Sequence, residues 1–142
     1  MPPYRTIIIG ARTHYAVKVS PQDYDYLMQW RWTFAVSHKG GGLIYARRSI
    51  RSGGSNVTIL MHRVVIEECM KIPRPSDRHF VDHENGDSLD NRRFNDDELQ
   101  QLRWLTAAEQ MQNQRGIIQR PLTAAAIGEL LAAQDPGAGI PF

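Results

Sequence analysis

Asp82 and His83 are adjacent within Val81-Asp82-His83-Glu84-Asn85-Gly86-Asp87. A carboxylate is a hard oxygen ligand for a divalent cation. A neutral imidazole, with an ordinary pKa of ~6.5, is a general base near neutral pH. Held together against a phosphate, these groups can hydrolyse a phosphodiester. Beyond the pair come Leu89-Asp90-Asn91-Arg92-Arg93 and then a second short apolar run, Leu102-Arg103-Trp104-Leu105-Thr106, which opens a helix. Neighbouring residues on a strand point to opposite faces, so a strand serving one phosphate with both groups must end or bulge near His83. Asn85-Gly86 suits that break.

The elements that must position this pair follow from local pattern. Residues 4–9 and 15–19 are β-branched and aromatic and predict strands. Ser20 is placed to cap, and Pro21 to open, a short helix over 21–29 with Tyr24, Leu27 and Met28 on one face. Residues 30–36 and 43–50 predict two strands around the turn at Lys39-Gly40-Gly41-Gly42, and Ser52-Gly53-Gly54-Ser55 turns the chain into a third over 56–61. The middle strand sends Tyr45 and Arg47 to one face, Ala46 and Arg48 to the other. A helix over 62–70 stops before Pro73 and Pro75. His79-Phe80-Val81 leads into the site as a strand, 84–101 form a long polar loop, and 102–105 form the partner strand. Thr106 and Glu109 make a capping box for a helix over 107–115, with Gly116 as its left-handed stop. An Ala/Leu-rich helix over 122–134 and a Pro/Gly tail over 135–142 complete the chain.

The expectation is an α+β fold. An antiparallel β-meander with a short helix, leading into a further helix, occupies 1–72, the site region 73–116, and a final helix with its tail 117–142. At 142 residues, 42% hydrophobic and 23% charged, the chain has the size and composition of a globular domain. It has no apolar run of ~18 residues to span a membrane, and its N-terminus lacks the order of a signal peptide. Cys69 is the only cysteine, which excludes an internal disulfide and a cysteine zinc site and predicts an intracellular, cytoplasmic setting.

Charge is unevenly spread. Residues 1–72 carry ten basic and four acidic side chains, and 73–142 carry seven and eleven. From 31 to 63 there are six basic residues, Arg31, Lys39, Arg47, Arg48, Arg51 and Arg63, and no acidic one. Such a block suits a polyanion, with Arg47, Arg48 and Arg51 as the best phosphate-contacting cluster. Arg92 and Arg93 either hold phosphates or pair with Asp90 and Asp87. His62 is either buried beside the site or simply begins its helix, and Trp30, Trp32 and Trp104 are read as core.

The order Met61-His62-Arg63-Val64-Val65, the stretch from Val81 through Asp82-His83-Glu84-Asn85-Gly86-Asp87 to Asp90-Asn91-Arg92-Arg93, then Leu102-Arg103-Trp104-Leu105-Thr106 and Glu109-Gln110-Met111-Gln112-Asn113 resembles the HNH endonucleases. It looks most like their phage and homing subgroup, as do Trp30-Arg31-Trp32 and Tyr45-Ala46-Arg47-Arg48 upstream, and the likeness spans roughly 15–115. The resemblance implies a ββα-metal unit around one divalent cation, Mg²⁺ or Mn²⁺, that cleaves double-stranded DNA. It implies His83 as general base and Asp82 as metal ligand. It also implies an Asn that braces the loop: Asn95 stands at the usual distance after the histidine, while Gln101 directly precedes the Leu-Arg-Trp strand. The helix ligand, usually Asn, falls on Gln110, and Asn113, one turn later on the same face, is the alternative. Residues 96–100 look inserted. The implied partner is duplex DNA, with no membrane, and the chain is expected as a monomer, a dimer being the alternative. The competing reading is a DNA-binding protein that keeps this scaffold without cutting.

Overall fold

Ile7-Ile8-Ile9 make the first strand apolar on both faces, and both faces are buried. In the computed structural model, which describes residues 3–37, 42–112 and 116–134, β1 (Arg5–Ile9) pairs antiparallel with β2 (Tyr15–Val19), and α1 (Pro21–Leu27) follows. β3 (Thr33–Ser37), β4 (Leu43–Ser52) and β5 (Ser55–Leu60) form the expected meander. Its tight turn at Gly53-Gly54 has φ of +57° and +82°, values that favour glycine and match the mirror-image turn of a two-residue hairpin. Helix α2 (Met61–Val64) runs on into a π-helical stretch, Val65–Cys69. Then come β6 (Phe80–His83), β7 (Asp90–Asn91), β8 (Leu102–Leu105), α3 (Ala107–Gln112) and α4 (Ala124–Gln134). The chain is thus a mixed α+β fold, with three sheets among the described residues: β1-β2-β7, β3-β4-β5 and β6-β8.

All three sheets share one apolar core. Ile7, Val17, Trp32, Ile44, Met61 and Trp104 belong to a single buried cluster. The first meander strand, β3, starts at Thr33 rather than Trp30, because Trp32 turns inward. Its indole N–H donates to the Leu27 carbonyl at 2.8 Å, and its own carbonyl accepts from Gly10 N–H. Ser20 sits at the start of α1 as expected, with Pro21 next, but its hydroxyl does not cap the helix. That hydroxyl accepts the Arg93 backbone N–H at 2.9 Å instead, tying the site loop to the first sheet. Gly116 has no left-handed φ. Its lack of a Cβ serves packing, since a methyl there would come within 2.5 Å of the Leu43 side chain. The capping box forms as predicted. Glu109 N–H donates to Thr106 Oγ1 at 3.2 Å, and Thr106 N–H donates to Glu109 Oε1 at 3.0 Å. The remainder of the expected 107–115 helix, the Lys39 end of the first turn and the tail from 135 lie outside the described residues.

The expected loop over 84–101 is more ordered than its polarity suggests. Asp90 and Asn91 pair in parallel with Lys18 and Val19, so the loop adds a strand to the first sheet. Asp90 is held by a forked contact from Arg92, Nε to Oδ1 at 2.8 Å and Nη2 to Oδ2 at 2.6 Å, and both side chains are 1% exposed. Arg92 Nη1 also reaches Asp96 at 2.8 Å. A buried charge left without its partner is expensive, typically ~3–5 kcal/mol. Arg92→Ala should therefore lower the free energy of urea unfolding by about 3–5 kcal/mol. A loss below about 1 kcal/mol would mean that the loop does not depend on this pair.

Candidate functional site

β6 ends at His83, near the expected break, and its pairing is regular through Asp82 and His83. Gly86, with φ +78°, allows the turn that follows, and Gly86 N–H donates to the His83 carbonyl at 2.8 Å. Antiparallel register sets Asp82 opposite Arg103 and His83 opposite Leu102. The two side chains therefore leave the strand on different faces. Arg103 donates Nε to Asp82 Oδ2 at 3.0 Å and places Nη2 2.9 Å from the same oxygen. On the other face His83 Nε2 meets Asn91 Oδ1 at 2.9 Å. An amide oxygen only accepts, so Nε2 carries the ring proton and Nδ1 holds the lone pair. The imidazole is thus fixed in the tautomer that a base working through Nδ1 needs.

Two more rings complete the environment. His62 packs edge-to-face on His83 with centroids 5.1 Å apart, and Tyr45 lies 5.7 Å from His62 and 6.1 Å from His83. Burial pushes the His83 pKa down, while Asn91 and the carboxylates Asp82, Asp87 and Asp90 act the other way. His62 is pushed well below the usual histidine range, first by burial and then by His83 and Arg63. Tyr45 is raised by burial and by Asp82. Both imidazoles are consequently neutral at neutral pH. Two buried polar atoms here, His62 Nδ1 and Asn91 Nδ2, have no hydrogen-bond partner among the described residues. Each such atom typically costs ~1–3 kcal/mol to bury without a partner.

The expected residues divide into those gathered here and those used elsewhere. Asn95 does not meet His83; it closes the loop, donating Nδ2 to Glu84 Oε2 at 2.7 Å and to Gln101 Oε1 at 2.9 Å. Gln101 in turn donates to Asn85 Oδ1 and to the Asp90 carbonyl, so Asn95 and Gln101 brace the loop together. The histidine's own partner is Asn91, which the sequence reading did not single out. Its signal was Leu89-Asp90-Asn91, an apolar-led run too short to read as a strand. Tyr45 was placed by alternation on its strand face, but nothing local linked that face to His83.

Gln110 stands in the first turn of α3, half-buried, with its N–H on the Thr106 carbonyl at 2.9 Å. Asn113 lies outside the described residues, as does Lys39. Arg92 and Arg93 are paired within the chain. Arg92 is spent on Asp90 and Asp96, and Arg93 on Asp23 at 2.6 Å and the Cys69 carbonyl at 3.0 Å. Asp90 was among the anticipated partners; Asp23, buried in α1, was not. Arg47, Arg48 and Arg51 do not act as one cluster, because strand alternation splits them. Arg48 stacks over Trp30 at 4.3 Å on the core-side face, whereas Arg47 donates to Thr58 Oγ1 at 3.3 Å on the other. Arg63 lies over the Trp104 ring at 5.3 Å, and Arg31 and Arg51 are exposed.

Among the described residues, no three His, Cys, Asp or Glu side chains stand together as a metal cage. Mg²⁺ does not need one, since it takes one or two protein oxygens and completes its shell with water and phosphate. The donor chemistry of Asp82 and the Gln110 amide suits such a loosely held hard cation, with Arg103 as a competitor for the carboxylate. No described helix is long and apolar enough to cross a membrane. A scan against family models gave no match, and searches of curated proteins and of solved structures gave none either.

The two buried histidines predict a pH response with a definite sign. Their folded pKa values lie below the unfolded ~6.5, so the folded state binds fewer protons in that window and stability rises with pH across it. The contribution is complete above ~6.5 and is lost as pH falls through the folded values, at up to ~1.4 kcal/mol per pH unit for each histidine. Urea unfolding from about pH 7.5 down to about pH 5 should show this slope. His62→Phe, which keeps a ring against Tyr45 and His83, should lessen it; an unchanged slope would remove His62 from the account.

Proposed function

We propose that the chain is a divalent-cation-dependent endonuclease of the HNH type acting on double-stranded DNA. The observation that carries this reading is the buried His83, held by Asn91 in one tautomer at the end of the strand that also presents Asp82. In the proposed reaction a water oxygen attacks the phosphorus in line. His83 Nδ1 takes the water proton, and the bond from phosphorus to a sugar oxygen breaks, the electron pair leaving with that oxygen. Asn91 keeps the imidazole aimed and stabilises the imidazolium through its amide oxygen. Asp82, with the Gln110 amide oxygen, would hold the cation. When bound, that ion supplies positive charge to the phosphate and the departing oxygen.

A plasmid-nicking assay with Mg²⁺ or with EDTA tests the reading. Wild type should nick only with Mg²⁺. His83→Ala should lose ~10²–10⁴ in rate, the usual contribution of a general base, with DNA affinity nearly intact. Wild-type-like nicking by His83→Ala would sink the assignment.

One observation favours a second reading, a DNA-binding protein that does not cut: the Asp82 carboxylate is already neutralised by Arg103. The same pair makes a prediction that separates the two. If Asp82 holds the cation, Arg103→Ala removes its competitor and nicking should saturate at lower Mg²⁺, while Gln110→Ala should require more. Gln110→Asn, with the shorter reach, should keep or improve Mg²⁺ use. Mg²⁺ titrations of the three variants give the answer. No activity in any of them, at any Mg²⁺, leaves the non-cutting reading.

A further inference from the structure

β4 outruns its neighbour. β3 pairs only with residues 43–47 of β4, so beyond Arg47 the strand is paired on one side alone, with β5. The result is a two-stranded ribbon ending at Gly53-Gly54, and every residue from 49 to 58 is exposed. Two-stranded ribbons are marginal by themselves, and this one extends past the core that steadies its base.

Its two faces differ. Ile44, Ala46 and Arg48 face the core and Trp30, and Ile50 continues that face opposite Val57. Tyr45, Arg47, Ser49 and Arg51 share the other face, and register adds Leu60 opposite Arg47, Thr58 opposite Ser49, and Asn56 opposite Arg51. The Arg47-to-Thr58 hydrogen bond lies on this face. Tyr45, at its root, is the residue that touches His62 and His83. A polar, cationic track therefore runs from the site to the ribbon tip, in a segment from 31 to 63 without one acidic residue. At ~3.3 Å per residue, Tyr45 to Arg51 covers about 20 Å. That is about six base pairs at ~3.4 Å each.

We propose that this face of the β4–β5 ribbon lies in the major groove of duplex DNA and that Arg51 and Asn56 at its tip read bases. The major groove admits a two-stranded ribbon, and Arg and Asn are the side chains whose forked donors and acceptors match guanine and adenine edges there. Arg47, nearer the site, contacts phosphate. The inference rests on the nuclease reading only for where the cut falls relative to the tip.

The test uses a randomised duplex pool and two readouts. Duplexes retained by the protein in EDTA are sequenced, and cut ends are mapped in Mg²⁺, for wild type and for Arg51→Ala/Asn56→Ala. Both positions are exposed, and an unchanged thermal melt confirms that the fold is kept. Wild type should enrich a short sequence, and the double variant should lose about tenfold or more of that enrichment at one or two positions. In the Mg²⁺ readout those positions should lie about six base pairs to one side of the cut. Enrichment without any cutting supports the ribbon and removes the nuclease reading. The same enriched sequence in the double variant, no enrichment by wild type, or equal retention of a double-stranded RNA pool, whose deep major groove excludes a ribbon, overturns the proposal.

Discussion

The forked ion pair between Arg92 and Asp90 is the contact on which the candidate site depends. Asp90 is the residue through which the loop joins β2, and Asn91, its neighbour, is the residue that holds His83. A segment as polar as 84–101 has little apolar surface with which to order itself. Order comes instead from a closed polar network: Arg92 on Asp90, Asn85 on Asp90, Gln101 on Asn85, Asn95 on Gln101 and Glu84. Buried networks of this kind are stable only when nearly complete, because each missing partner leaves a desolvated group behind. The network rests in turn on the first sheet, through Arg93 N–H on Ser20 and the Arg93 guanidinium on Asp23.

Against that well-satisfied loop, the site itself is under-satisfied. His83 is held at one nitrogen, His62 Nδ1 and Asn91 Nδ2 lack partners, and Asp82 shares its charge with an arginine that is 43% exposed. Burial keeps both imidazoles neutral, so each ring retains a lone pair. The costs borne here are offset by a continuous core running from β1 to Trp104.

The basic residues of the chain do three different jobs despite their common charge. Arg92 and Arg93 are internal struts. Arg48 and Arg63 lie over tryptophan rings, where the guanidinium keeps its charge but is held by the aromatic face. Arg47 reaches Thr58, and Arg31 and Arg51 are exposed. Net charge over a segment therefore overstates the phosphate-binding surface, since three-dimensional pairing decides which cations remain available.

Much of the fold was legible in local pattern. The α+β class, the glycine-turned meander, the capping box at Thr106 and Glu109 and the break after His83 all come from short-range rules, in which neighbouring residues constrain one another's backbone. The Asp82–His83 pair and the bracing roles of Asn95 and Gln101 were likewise open to the sequence. What only the tertiary structure decided are contacts between distant segments: Asn91 on His83 through a two-residue strand, His62 and Tyr45 on the same imidazole, Arg103 on Asp82, and Arg93 on Asp23. Each depends on which strand lies beside which and in what register. A pattern of period two states that Tyr45 and Arg48 face opposite ways, but only packing against the core determines which of them meets the site.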